Sequence, residues 1–133
     1  MSSDNPFDNT GIIFLEDGDF DGNVLLKNNK PVKNGLWFIM IQASYCGWCT
    51  KAKPSFIKTA AEFEGKGVKF ATIHVDSQHE KTSKLGAQVS EIFGEKVSGI
   101  PAFFLYDAST GKSIRYEGKA NHSSFVNFLN KHI

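Results

Sequence analysis

Apolar and polar positions along the chain fall into alternating blocks that predict strands and helices in turn. The segment GLWFIMIQA, residues 35–43, is apolar at nearly every position, which is typical of a strand buried on both faces. Shorter apolar or β-branched runs predict further strands at 11–17, 68–76, 102–107 and 113–118. The last two flank the turn segment ASTGK and are therefore expected to form a hairpin.

Three other segments carry apolar residues at the three- and four-residue spacing of an amphipathic helix. The first follows the cysteines and ends at Gly65 and Gly67, and Pro54 inside it is expected to kink it. The second lies within residues 77–96, which we interpret as an extended helix or loop for partner contacts or as a plain surface insertion. The third is at the C-terminus. The apolar positions are Ala52, Phe56, Ala60 and Phe63, then Leu85, Val89, Ile92 and Phe93, and last Phe125, Phe128, Leu129 and Ile133.

Strands that alternate with helices and end in a hairpin predict an α/β domain, with a central mixed β-sheet flanked by helices on both faces. We place a single domain at residues 11–133 and interpret residues 1–10 as a flexible N-terminal tail. Residues 17–35 are rich in Gly, Asn and Asp and are expected to form a short helix or a turn. Asn121 or Ser123 is expected to cap the C-terminal helix.

The charge balance argues against several classes of partner. The 133-residue chain has 15 basic and 14 acidic side chains and a net charge of +1. Without a basic patch, we expect neither a nucleic-acid nor a membrane partner. The N-terminus lacks the regions of a secretory signal, and the apolar run LWFIMI is too short to span a bilayer. We therefore expect a cytoplasmic protein that acts as a monomer.

Both cysteines lie in SYCGWCTKAKP, residues 44–54, where the buried strand gives way to the first helix. Cys46 is expected at the helix N-terminus, whose free N–H groups and positive dipole end favour a thiolate. Cysteines in such CxxC settings titrate at roughly 3.5 to 7.5 instead of about 8.5. Cys49, one turn further, is close enough for a disulfide and is expected to be less exposed. We interpret the pair as a dithiol–disulfide centre in which Cys46 attacks and Cys49 resolves.

Two other roles for the cysteine pair are less well supported. A structural disulfide that closes so short a loop removes little entropy from the unfolded chain. A zinc site needs about four ligands, and the histidines show no finger or ribbon spacing; they are His74, His79, His122 and His132. The sequence therefore favours a redox-active disulfide over a staple or a metal site, and no bound metal or cofactor is expected.

The order of these features resembles the thioredoxin family, including the domains of protein disulfide isomerases, over about residues 11–133. Pro54 lies five residues after Cys49, and Gly99, Ile100 and Pro101 precede a strand; these positions make the resemblance specific. The family implies a cis bond before Pro101, beside the cysteines, and pairing of the Ile100 backbone with a substrate peptide. A proline that merely begins a strand is the alternative.

The residues around the cysteines depart from the family pattern. Tyr45 stands where the family usually has tryptophan, and Gly47-Trp48 replaces the Gly-Pro of thioredoxins and the Gly-His of disulfide isomerases. The resemblance implies that Tyr45, Gly47 and Trp48 face the substrate, with a core position as the alternative for the Trp48 ring. Neither template fixes whether the protein works as a reductant or as an oxidant. Gln42 also stands where thioredoxins often carry tryptophan.

The family's buried proton-transfer pair is missing. Its carboxylate position is Met40 and its lysine position is Thr72. The two losses together are consistent, because either charge buried alone is costly, but they leave Cys49 without its usual base. His74 shares the strand face of Thr72 and is a candidate for proton transfer; an ordinary strand histidine is the alternative.

These features together predict a thiol–disulfide oxidoreductase that acts on protein disulfides or thiols through a Cys46/Cys49 cycle. Its expected partners are proteins with exposed cysteines or disulfides and an upstream dithiol donor or acceptor. The alternative is a non-catalytic, thioredoxin-like module for protein interaction or redox sensing.

Overall fold

The computed structural model describes residues 10–43, 45–75, 88–97 and 99–133. Short strands come first, and the long central strand leads directly into the longest helix. In chain order the elements are β1 (Ile13–Phe14), β2 (Phe20–Asp21), β3 (Val24–Lys27), β4 (Lys30–Pro31), β5 (Leu36–Gln42), α1 (Gly47–Glu62), β6 (Val68–His74), α2 (Val89–Phe93), β7 (Ala102–Asp107), β8 (Lys112–Arg115) and α3 (His122–His132).

The main sheet has five strands in the order β1-β6-β5-β7-β8. Strand β5 pairs in parallel with β6 and antiparallel with β7, so the sheet is mixed as predicted. The register places Gln42 beside His74 and Ile41 beside Ala102. The C-terminal ends of β5 and β6 and the N-terminal end of β7 therefore lie side by side at the same end of the strands. The cysteine turn begins there.

Helices cover both faces of this sheet, which confirms the predicted architecture. One face packs against α1 and α3 around Phe38, whose ring centroid lies 5.7 Å from that of Phe56 and 5.5 Å from that of Phe125. The opposite face packs against α2, where the rings of Phe93 and Phe104 stack at 4.4 Å. The many phenylalanines thus build a core on each side of β5.

The first and last helices lie where the patterns predicted, but Ile133, expected on the apolar face of the last helix, is exposed at its C-terminus. Helix α1 buries Ala52 and Phe56 and half-buries Ala60. It ends at Glu62, before turns in which Gly65 and Gly67 have positive φ. Pro54 lies inside the helix, and the kink expected there stays a prediction. Helix α3 begins after Asn121, whose Oδ1 accepts a hydrogen bond from the Ser124 N–H at 2.9 Å. Asn121 is therefore the cap.

The prediction for residues 17–35 was wrong, because this segment forms a second, three-stranded antiparallel sheet of β2, β3 and β4. Asn28 and Asn29 join β3 to β4 with φ values of 53° and 62°. Asparagine tolerates this left-handed backbone and favours tight hairpin turns. The asparagines that predict a turn here therefore form the tight turn between two short strands.

Tyr106 anchors the small sheet to the main one. Its hydroxyl accepts a hydrogen bond from the Leu25 N–H at 3.1 Å and donates one to the Asn23 carbonyl at 2.6 Å. The Tyr106 side chain is almost completely buried, and this burial raises its pKa. A single phenol group therefore satisfies two backbone groups of a segment that has little core of its own.

Parts of two predictions lie outside the described residues. Of the helix predicted within 77–96, the structure describes α2, in which Val89, Ile92 and Phe93 are buried as expected. Residues 76–87, and the predicted tail up to residue 9, are not described. Within the described ranges, no helix is long and apolar enough to cross a lipid bilayer.

Replacing Tyr106 by phenylalanine is expected to lower the free energy of unfolding by about 1–3 kcal/mol, because the Leu25 N–H loses a buried acceptor. Urea denaturation measures this difference. The matched control is Tyr45→Phe, which changes an exposed hydroxyl and is expected to stay within about 0.5 kcal/mol of the natural protein. Equal stability of the two variants would contradict the anchoring role.

Candidate active site

Cys46 lies at the N-terminus of α1, at the end of the buried central strand. It is the N-cap residue, with extended backbone angles of φ −89° and ψ 109°. Its Sγ accepts a hydrogen bond from the Cys49 N–H at 3.0 Å, and its carbonyl accepts one from the Thr50 N–H at 3.1 Å. The sulfur therefore takes the place of the side-chain oxygen that caps most helices, and it is held where negative charge is favoured.

Cys46 and Cys49 are joined by a disulfide, with their Cα atoms 5.2 Å apart. Their exposure differs as predicted: Cys46 retains 9% of its surface and Cys49 retains none. Cys49 packs inside the cluster that also contains Met40 and Ala52. Cys46 is therefore the more accessible of the two cysteines, and Cys49 is enclosed by the core.

Two large rings are exposed next to the disulfide. Tyr45 is 76% exposed and Trp48 is 71% exposed. The Lys51 ammonium lies 4.7 Å from the centre of the Trp48 ring. Trp48 is thus a surface ring and not a core residue. Gly47 between them is also exposed, so the turn presents an apolar, open surface around Cys46.

The peptide bond between Ile100 and Pro101 is cis, as the family resemblance implied. Pro101 immediately precedes β7, whose first residue Ala102 pairs with Ile41 at the active end of β5. Ile100 packs against the cluster that contains both cysteines. The structure therefore brings the Gly-Ile-Pro segment and the CxxC turn together, although they are far apart in sequence.

The two substituted positions of the missing proton-transfer pair face each other in the structure. Met40 and Thr72 are partners in the β5–β6 register, and both are fully buried. The Thr72 hydroxyl donates a hydrogen bond to the Met40 carbonyl at 2.8 Å and accepts one from Gln42 Nε2 at 2.6 Å. A neutral hydrogen-bond network therefore occupies the place at which the family usually has its buried charge pair.

His74 lies at the end of β6, beside Gln42 in the register. It is largely buried, and its ring centroid lies 5.4 Å from that of Phe14. It shares the strand face of Thr72, as the sequence indicated. Its part in proton transfer stays a prediction.

The charged side chains on the first two turns of α1 are those of lysines. The first turn of α1 carries no acidic residue. Lys53, on the same helix, is partly buried, and this burial lowers the pKa of its ammonium group. In the described part of the chain, His, Cys, Asp and Glu side chains form no group of three that is arranged to hold a metal ion.

Comparisons with known proteins agree with this geometry. The family model described as Thioredoxin matches residues 12–131. The chain belongs to the thioredoxin family. It is 33% identical over 132 residues to thioredoxin-like protein 453L of Invertebrate iridescent virus 6, which covers 89% of this chain and 91% of the viral protein.

Larger proteins share the same domain. Protein disulfide-isomerase like 2-2 of Arabidopsis thaliana is 27% identical over 93 residues, which are 70% of this chain but 18% of that protein. The solution structure of the first thioredoxin domain of mouse Protein disulfide-isomerase A4 superimposes with a TM-score of 0.67 at 20% identity, covering 98% of this chain and 84% of that domain. This structural likeness concerns the fold.

Family membership and the CxxC pair at the helix N-terminus make this chain a thiol–disulfide oxidoreductase. The non-catalytic alternative is not favoured by these findings. The sequence did not mark Gln42 as a site residue, but the structure places it, fully buried, at the end of β5 next to the cysteine turn. The signal was a polar residue that ends an otherwise apolar strand, next to the cysteine turn.

In the fully reduced protein, one equivalent of iodoacetamide is expected to label Cys46 in preference to Cys49. The reason is that Cys46 is the more exposed of the two and its sulfur caps the helix, whereas Cys49 is completely buried. Peptide mass mapping measures the ratio of the two products. The same reaction in urea is the control, because unfolding removes the preference. Faster labelling of Cys49 in the folded protein would contradict the assignment.

Proposed function

We propose that this chain exchanges disulfides with protein substrates, with Cys46 as the attacking sulfur and Cys49 as the resolving sulfur. The observation that carries the proposal is the asymmetry of the pair. Cys46 caps α1 with its sulfur and is 9% exposed, whereas Cys49 is completely buried. Thiolate stabilisation at the outer sulfur and shelter of the inner one are the properties that such a cycle needs.

In the reducing direction, the Cys46 thiolate attacks one sulfur of a substrate disulfide. A mixed disulfide forms, and the other substrate sulfur leaves as a thiolate and takes up a proton. Cys49 then loses its proton and attacks Cys46 Sγ, so that the second substrate thiol is released. The substrate gains two electrons and two protons, and the enzyme becomes the Cys46–Cys49 disulfide. The reverse sequence oxidises a substrate dithiol.

The substrate is proposed to be an exposed protein segment that carries a cysteine or a disulfide. The supporting features are the exposed rings of Tyr45 and Trp48 and the position of Ile100 against the cysteine cluster. Exposed aromatic rings beside a reactive group favour contact with apolar side chains of a partner. We propose that an external dithiol system completes the cycle, since both electrons reside on the two enzyme sulfurs and no bound cofactor is needed.

The exchange cycle predicts different outcomes for the two cysteine variants. With insulin as the protein disulfide and dithiothreitol as the electron source, Cys46→Ser is expected to lose the catalysed rate. Cys49→Ser, reduced beforehand and mixed with insulin after the dithiothreitol has been removed, is expected to retain the first attack. It is expected to accumulate a mixed disulfide between Cys46 and an insulin chain, because no free dithiol is present to cleave it. Turbidity measures insulin reduction, and non-reducing mass spectrometry detects the adduct.

Thermal unfolding of each variant against the reduced natural protein controls for loss of structure. The proposal is contradicted if the natural protein does not accelerate insulin reduction although its own disulfide forms and breaks normally. Such a protein would be a redox-sensing module and not an enzyme. An adduct trapped on Cys49 instead of Cys46 would reverse the assigned roles.

Trp48→Ala tests the proposed docking surface. It is expected to raise KM for insulin roughly fivefold to tenfold, because an exposed ring of this kind contributes on the order of 1 kcal/mol to binding. The rate with the small disulfide of glutathione is expected to stay unchanged, because the sulfur chemistry is intact. The matched control is Ile114→Ala, which removes an exposed apolar side chain on β8. Equal losses with both substrates would contradict a docking role.

A further inference from the structure

Gln42 is the last residue of β5 and its side chain is fully buried. Buried amide side chains are uncommon, and they are normally held by hydrogen bonds to each polar atom. The Gln42 amide nitrogen donates to Thr72 Oγ1 at 2.6 Å. Its amide oxygen, Oε1, is buried and has no hydrogen-bond partner among the described residues.

The orientation of the Gln42 amide follows from the Thr72 hydroxyl. A hydroxyl group has one proton to donate. Thr72 gives that proton to the Met40 carbonyl at 2.8 Å, so toward Gln42 it acts only as an acceptor. The group facing Thr72 is therefore the amide NH₂ of Gln42, and the atom left over is the oxygen. The unpartnered atom thus needs a donor.

Gln42 lies on the same face of the sheet as the cysteines. Side chains two residues apart on a strand share a face, so Gln42 shares the face of Met40. Met40 belongs to the cluster that holds Cys49. Gln42 is also one residue from Ala43, whose carbonyl accepts the Cys46 N–H at 3.2 Å. The buried amide therefore lies on the sheet face of the cysteine cluster, at the end of the strand from which the cysteine turn starts.

The oxidised and reduced forms of the site differ in the donors they offer. A disulfide sulfur carries no proton, so the bonded Cys46–Cys49 pair offers Gln42 no donor. Reduction adds a proton to Cys49, and its buried S–H is then a weak donor that can bond to a nearby acceptor. Gln42 Oε1, the unpartnered acceptor of the oxidised form, and the Cys49 thiol, the new donor of the reduced form, therefore lie on one face of the sheet.

We propose that Gln42 is a positioning residue, whose amide oxygen accepts a hydrogen bond from the Cys49 thiol in the reduced protein. This inference rests on the proposed exchange cycle and adds a determinant of its direction. The hydrogen bond exists only in the dithiol and in the mixed disulfide, so it stabilises these forms relative to the closed disulfide. It also aims the Cys49 sulfur while Cys46 is occupied by substrate. The amide accepts no proton itself; the proton leaves to solvent when Cys49 attacks.

The first measurement is the equilibrium of the cysteine pair with glutathione at fixed pH, in the natural protein and in Gln42→Met. Methionine keeps the length of the side chain and removes the acceptor. The variant dithiol is expected to be oxidised more readily, with an equilibrium constant about three- to tenfold larger; tenfold corresponds to 29.6 mV for a two-electron couple. Gln88→Met, at an exposed glutamine, is the matched control and is expected to show no change.

The second measurement observes the hydrogen bond itself and does not require the exchange cycle. In Cys46→Ser, Cys49 is the only thiol of the chain. Its infrared S–H stretching band is expected at lower wavenumber than that of an alkanethiol in an apolar solvent, since the band falls when the thiol donates. Adding Gln42→Met is expected to move the band back toward the free value.

An S–H band in Cys46→Ser at the position of a free thiol overturns the inference, whether or not the double variant folds. A band that is low but unmoved by Gln42→Met also overturns it, because the acceptor is then another group, such as the neighbouring His74. Either result leaves the proposed function intact if the natural protein still reduces insulin. If the natural protein fails to reduce insulin but the S–H band behaves as expected, the exchange cycle is refuted and the hydrogen bond between Cys49 and Gln42 is still supported.

Discussion

The burial of β5 on both faces is the constraint from which the rest of the structure follows. Every residue from Trp37 to Gln42 is buried. A strand of this kind needs a layer on each side, and α1 with α3 supplies one while α2 with the small sheet supplies the other. Because α1 begins directly after β5, its N-terminus is fixed at the end of the central strand. The cysteine turn is therefore anchored by the most deeply buried element of the protein.

This anchoring explains how one short turn provides two different sulfurs. The cap position leaves Cys46 slightly exposed, and the first helical turn carries Cys49 fully into the core. The interior next to them holds a neutral hydrogen-bond network. The Thr72 hydroxyl donates to the Met40 carbonyl and accepts from the Gln42 amide. Neutral groups avoid the desolvation penalty of a buried charge. The site therefore relies on hydrogen bonding and on the helix terminus for its electrostatics.

The sequence was sufficient wherever the chemistry is local. The apolar run predicted the buried strand β5, the CxxC spacing predicted the disulfide at a helix N-terminus, and the Gly-Ile-Pro segment predicted the start of a strand. The sequence also limited the N-cap of the C-terminal helix to Asn121 or Ser123. The segment from Asp17 to Gly35 was mistaken because its strands are only two to four residues long. Its order depends on Tyr106, which lies far away in sequence. The hydrogen bond of Gln42 could not be predicted for the same reason, because its partner Thr72 is brought beside it only by the β5–β6 register.

The central claim is that Cys46 and Cys49 cycle between a dithiol and one intramolecular disulfide. It is tested most directly by equilibrating the protein in glutathione buffers of graded poise, alkylating the free thiols and weighing the intact chain. We predict that both thiols disappear together in a single transition, without a stable glutathione adduct. A persistent glutathione adduct on Cys46, or two free thiols at every poise, would contradict the account.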